Sequence, residues 1–156
     1  MTFKFIFLSL ALAAPVLHAA EPWPSFDELR TRYRETKDMG RVSYAYRRCA
    51  ALQLNVAALL VRRKQADAAK HYESLADNYM VLSERVDIEL DRKQGRKSKK
   101  PMETVSLAVK HLSQSYNERM NDNLQKRGTH FSGDPVLEAE LTECHDVDQF
   151  VKSFKN

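Results

Sequence analysis

The sequence predicts an all-α fold, a small bundle of four main helices plus a short C-terminal helix stapled by one disulfide. Three observations carry this. Glycine and proline are scarce, at 4 and 5 of 156 residues, so few positions break a helix. Apolar residues recur at three- and four-residue intervals, and no strand-length stretch alternates apolar with polar residues. The chain also holds only 2 cysteines, Cys49 and Cys144, in a protein that opens with what reads as an export signal.

That signal is residues 1–20. Lys4 precedes the apolar run Phe5 to Leu17, and Ala19 and Ala20 lead into Glu21-Pro22, the order of a secretory signal peptide. An uncleaved anchor is the alternative, but a run of roughly 13 apolar residues falls short of the ~20 that a spanning helix needs. Cleavage after Ala20 places His18 where a small residue is more usual, so a cut after Ala19 remains open. Residues 21–156 then form a single helical domain, with no second membrane segment expected. The formal charge of +4 includes Lys4, so the mature chain carries about +3, which favours anionic partners without choosing one.

Ser25 and Glu28 have the form of a capping box, which predicts a first helix from about Phe26 to Met39 with Phe26, Leu29 and Tyr33 inward and Gly40 as its stop. A second helix runs from about Val42 to Lys64, with Cys49, Leu52, Val56 and Leu59 along one face. The third covers roughly Ala66 to Lys93, with Tyr72, Leu75, Tyr79, Leu82, Val86 and Leu90 as its stripe. No glycine or proline separates these two, so one long bent helix is the alternative. Gly95 to Pro101 breaks the chain before a fourth helix, whose stripe is Met102, Val105, Val109, Leu112, Tyr116, Met120 and Leu124, with its stop at Gly128. The third and fourth stripes match in length and spacing, as antiparallel neighbours would. Asp134 as N-cap and Pro135 at the first helical position begin the terminal helix, with Leu137, Leu141, Cys144, Val147, Val151 and Phe154 as its apolar face.

Both cysteines fall on faces assigned from their neighbours, so in an oxidising compartment they are expected to pair. Two buried free thiols are the alternative, and a redox pair lacks the C-x-x-C spacing that lowers a thiol's pKa.

No constellation identifies a reaction. The mature histidines His71, His111, His130 and His145 include no pair at metal-ligand spacing on one helical face, so no metal is expected. No C-x-x-C-H, Gly-rich phosphate loop or G-x-S-x-G occurs, and no cofactor is expected. Met80 and Met120 read as core filler rather than haem ligands. The carboxylates Glu84, Asp87, Glu89 and Asp91, interleaved with Arg85 and Arg92, read as a solvated helix face. Leu59-Leu60-Val61-Arg62-Arg63 through Ala69-Lys70 resembles the arginine- and lysine-bearing helix of secreted chorismate mutases, but the preceding arginine segment of that family has no counterpart here, and membership is not assigned. Ala68, Ala69, Tyr72 and Ala76 have the pattern of a tetratricopeptide helix, yet no second copy lies about 34 residues away.

The strongest surface signal is basic. Arg92, Lys93, Arg96, Lys97, Lys99 and Lys100 crowd the loop between the third and fourth helices and form the candidate site for an anionic partner; a plain solvated loop is the alternative. Arg62, Arg63 and Lys64 are expected at the opposite end of the bundle. Interleaved aromatic residues are missing from the loop, which argues against nucleic acid. Trp23, between Pro22 and Pro24, and Phe131 in the loop after Gly128 are candidate docking aromatics; Trp23 folding back over the core is the other reading. Together these features lead to an exported, non-enzymatic envelope protein that binds another protein, as an adaptor, inhibitor or immunity-type factor. Anionic lipid or a cell-wall polymer is a further partner class. The rivals are a small helical enzyme with its site between helices, and a binder of a small apolar or anionic ligand in the bundle interior.

Overall fold

The computed structural model describes residues 23–97 and 100–154; the expected export signal and Lys99 lie outside them. Among the described residues there are six helices and no strand: α1 (Phe26–Thr36), α2 (Met39–Arg62), α3 (Ala66–Lys93), α4 (Pro101–Arg127), α5 (Pro135–Glu143) and α6 (Val147–Ser153).

The Ser25–Glu28 capping box forms as the sequence predicts, each side chain accepting from the other residue's backbone N–H. α1 nevertheless stops three residues before the expected Met39. Lys37 takes a left-handed conformation with φ 54°, and Asp38 caps α2 by accepting from the Gly40 N–H at 2.9 Å. Gly40 therefore opens α2 rather than closing α1: an Asx cap outcompetes glycine as the punctuation mark here. α2 and α3 are separate helices, divided at Lys64, which sits at φ 61°.

α2 is the central helix, packing against α1, α3, α4 and α5. It is buried nearly all round, through Val42, Ala45, Tyr46, Cys49, Ala50, Leu52, Val56 and Ala57, and its run of alanines lets neighbouring backbones approach closely. α3 lies antiparallel to it, since Tyr46 meets Tyr79 while Ser43 meets Ser83 and Asp87. α3 contributes Ala69, Ala76, Tyr79 and Ser83 to the fully buried interior, while its predicted leucines are only half-buried.

α4 follows its expected stripe up to Met120. Leu124, expected inward, is instead 39% exposed, and Asn123 is buried in its place, donating to the carbonyls of Thr129 and Ser132 to fix the turn after α4. The single terminal helix expected after Pro135 is two short ones. Cys144 closes α5, and Asp146 caps α6 by accepting from the Gln149 N–H at 3.0 Å. The break changes the helical phase, so Phe150, absent from the predicted stripe, enters the core against Phe26, Tyr46, Tyr79 and Phe154.

Cys49 and Cys144 are both fully buried and form the disulfide, with Cα atoms 5.3 Å apart and a separation of 95 positions in sequence. It ties the middle of α2 to the α5–α6 junction.

Candidate functional site

Three arginines from three different helices reach the C-terminal segment, each to its own carboxylate. Arg30 of α1 pairs with Glu143 at 2.5 Å, Arg48 of α2 with Glu140, and Arg119 of α4 with both oxygens of Asp134 at 2.7 and 2.8 Å. With the disulfide, these pairs clamp residues 134–154 onto the bundle.

The Arg48 pair is the deepest. Arg48 is 0% and Glu140 3% exposed, so both charges are fully withdrawn from water. One guanidinium nitrogen donates to Glu140 Oε1 and another to the Pro24 carbonyl, while the hydroxyl of buried Tyr116 donates to Glu140 Oε2. Trp23, Tyr44 and Phe26 surround the guanidinium, their ring centroids 5.2, 5.7 and 4.8 Å from it, and the cation attracts their electron-rich faces. Trp23 also stacks edge-on against Tyr116 at 4.7 Å. Trp23 is thus half-buried, folded as a strap over this cluster.

Burial raises the Glu140 carboxyl above its usual range despite the Arg48 charge beside it. Burial also opposes the Arg48 charge, yet its Tyr116 and Glu140 neighbours leave it held above its ordinary value. Such a cluster has the charge types of an active site, but each member is engaged by another protein group. None of the five clefts described for this surface is lined by Arg48, Tyr116 or Glu140. The sequence carried a trace of it. Glu140 stands at 3,4 spacing between Leu137 and Cys144, and Arg48 between Tyr44 and Leu52, each a charged residue within an apolar row.

Burial also raises three tyrosines. Tyr116 is pushed up strongly by desolvation and the Glu140 charge, Tyr79 by desolvation, Asp146 and Tyr46, and Tyr46 by desolvation. A phenol whose folded pKa is raised stays neutral in the fold but ionises in the unfolded chain near pH 10, so its stabilising contribution holds below that pH and is lost as pH rises above it. Absorbance at 295 nm should therefore show three of the 6 tyrosines ionising in step with loss of helical circular dichroism above about pH 10. All six ionising while the helical signal persists would contradict their burial.

The predicted basic loop is less basic than its sequence suggests. Arg92 makes two 2.8 Å bonds to Glu89, Lys93 lies 3.7 Å from the same carboxylate, Arg96 bonds Asp91 at 2.8 Å, and Lys100 pairs with Glu103 at 2.7 Å. The Arg92 hydrogen bond holds Glu89 below the usual carboxylate range. Lys97 is exposed beside a shallow depression formed with Ile88, Gly95 and Arg96.

A concave polar surface lies at the other end of the bundle. Between α2 and α4, a cleft of about 300 Å³ is lined by Asn55, Leu59, Arg62, Ser113, Gln114, Asn117, Asn121 and His130. A second, of about 310 Å³, continues past Leu59 and His130 to Leu60, Arg63, Gly128 and Phe131. The shared residues make the two one groove. Its floor is rigid: Asn55 is buried and its amide donates to the Ala51 and Ser113 carbonyls and the Ser113 hydroxyl. His130 Nδ1 is buried without a hydrogen-bond partner among the described residues. Phe131, half-buried and packed against the core, forms part of the wall. No group of three potential metal ligands occurs among the described residues, and no helix there is long and apolar enough to cross a membrane.

Comparison with protein-family models, with characterised proteins and with solved structures gives no significant match to this chain.

Proposed function

We propose that the chain is an exported, non-enzymatic protein of the cell envelope that acts by binding another protein, as an adaptor, inhibitor or immunity-type factor does. The observation that carries this reading is a division of polar groups. The deeply buried ionisable groups Arg48, Glu140 and Tyr116 bond one another, whereas a groove between α2 and α4 is lined by polar side chains that border open space, Arg62 and Asn117 among them. A catalytic group must reach substrate, and a sealed ion pair does not. A docking surface needs the opposite arrangement, a rigid frame presenting unsatisfied polar atoms and a few aromatic or arginine anchors.

Export is supported by the disulfide, a bond that persists in oxidising compartments, and by the basic-apolar-small order of residues 1–20. The test is affinity capture of the oxidised mature protein from its own envelope fraction. Recovery of one protein in near-equimolar amount, repeated when that protein is the bait, is the expected result. Substrate turnover by the purified protein, or no stoichiometric partner in the envelope fraction, overturns the proposal.

A further inference from the structure

The groove between α2 and α4 has a pattern that narrows the kind of partner. Ser113, Asn117 and Asn121 recur every fourth residue on α4, so they form a row about 12 Å long down one face. Facing it on α2 are Asn55, Leu59 and Arg62, with Arg63 just beyond. Among the described residues the side chains of Asn117 and Asn121 make no hydrogen bond, while Asn55 is held by Ser113.

A primary amide side chain offers a donor and an acceptor side by side. An extended polypeptide backbone presents the same two groups along its edge, at about 3.3 Å per residue, so a row of this length matches roughly four residues. Amides fix such a chain without reading its sequence. Charge then supplies the selection: the charged residues lining the two clefts are Arg62 and Arg63, neither has an ion-pair partner among the described residues, and no carboxylate lines either cleft. On α4, Glu118 accepts from the groove-lining Gln114 at 3.5 Å, so one carboxylate stands at the groove's edge, while Asp122 pairs with Lys126.

We infer that this groove receives an extended acidic segment of the partner protein, its backbone along the Ser113–Asn117–Asn121 row and its carboxylates on Arg62 and Arg63. The inference rests on the protein-binding reading above and adds the site and the chemistry.

The probe is N-acetyl tetraglutamate amide, titrated into the oxidised, isotope-labelled chain from Glu21 onward, with tetraglutamine as the uncharged control. Tetraglutamate should shift the side-chain amide signals of Asn117 and Asn121 and the backbone signals of residues 128–132, and tetraglutamine should do so at least fivefold more weakly. Arg62→Gln with Arg63→Gln should weaken binding at least fivefold and Asn117→Ala with Asn121→Ala at least threefold, whereas Arg96→Gln with Lys97→Gln should leave it unchanged. These six positions sit at the surface or in the groove wall, so the fold survives the changes.

No response, shifts confined to residues 92–97, an equal response to tetraglutamine, or preference for an acidic oligosaccharide such as tetragalacturonate would each overturn the inference. Its failure is separable from that of the function. A partner captured equally well by the Arg62→Gln, Arg63→Gln variant sinks the groove and leaves protein binding standing, while absence of any partner for the unaltered protein sinks protein binding itself.

Discussion

Arg48→Met lowers stability by about 3–5 kcal/mol, the usual effect of removing one member of a buried ion pair. The loss arises from what remains. Glu140, 3% exposed, keeps its desolvated carboxyl with only Tyr116 to answer it, and the Pro24 carbonyl loses its donor. Urea unfolding followed by circular dichroism measures the loss, and Trp23, the chain's sole tryptophan, gives an independent reading. Once the guanidinium beneath it is gone, its emission should move to the red as the strap loosens. Adding Glu140→Leu should recover most of the stability, because a matched apolar pair often serves as well as a buried ionic one. A loss under about 1 kcal/mol in the single variant, or a double variant less stable than the single, would show that the pair is not the desolvated unit described here.

Replacing Cys49 and Cys144 together by alanine should cost about 4–5 kcal/mol, the loop-closure entropy of cross-linking residues 95 apart. Both positions are 0% exposed, so alanine avoids burying a hydroxyl, though the missing sulfur atoms add a small packing loss. For a domain whose net stability is about 5–15 kcal/mol, this is a large share. The same denaturation experiment, run with and without reductant, decides it: reductant should destabilise the unaltered protein and leave the double variant unaffected. Equal midpoints for oxidised and reduced protein would mean that the bridge contributes nothing to the fold.

The two features behind these predictions differ in how they could be read beforehand. The disulfide was legible because cysteine is rare and each of the pair fell on a row defined by its neighbours. The α3 boundaries, Ala66 and Lys93, and the Ser25–Glu28 cap were legible because they depend on residues close in sequence. Arg48 was not, since it follows Arg47 in a helix and an adjacent arginine pair reads as surface. Only the approach of Glu140, 92 residues later, explains its burial. Asp38 and Asp146 show a different limit. Both are Asx caps: the first was outweighed by Gly40 read as the stop, so α1 read as too long, and the second by the apolar period from Leu137 to Phe154, so α5 and α6 read as one helix. The groove was hidden for a third reason. Its α4 row is visible as Ser113, Asn117 and Asn121, but a polar row on a helix ordinarily faces water, and only the parallel course of α2 beside it makes a wall.

The disulfide spans everything between the middle of α2 and the end of α5, including the connection from α3 to α4, where Arg96 and Lys97 are exposed. Covalently, then, the molecule is a ring with two tails. A protease that cuts after basic residues can reach the exposed Arg96 and Lys97, and a cut there opens the ring without releasing a piece. α1 to α3 and α4 to α6 would stay bonded through Cys49 and Cys144, and the interior would still be assembled around them. This topology turns a cut between α3 and α4 into one the protein can take and remain a single body.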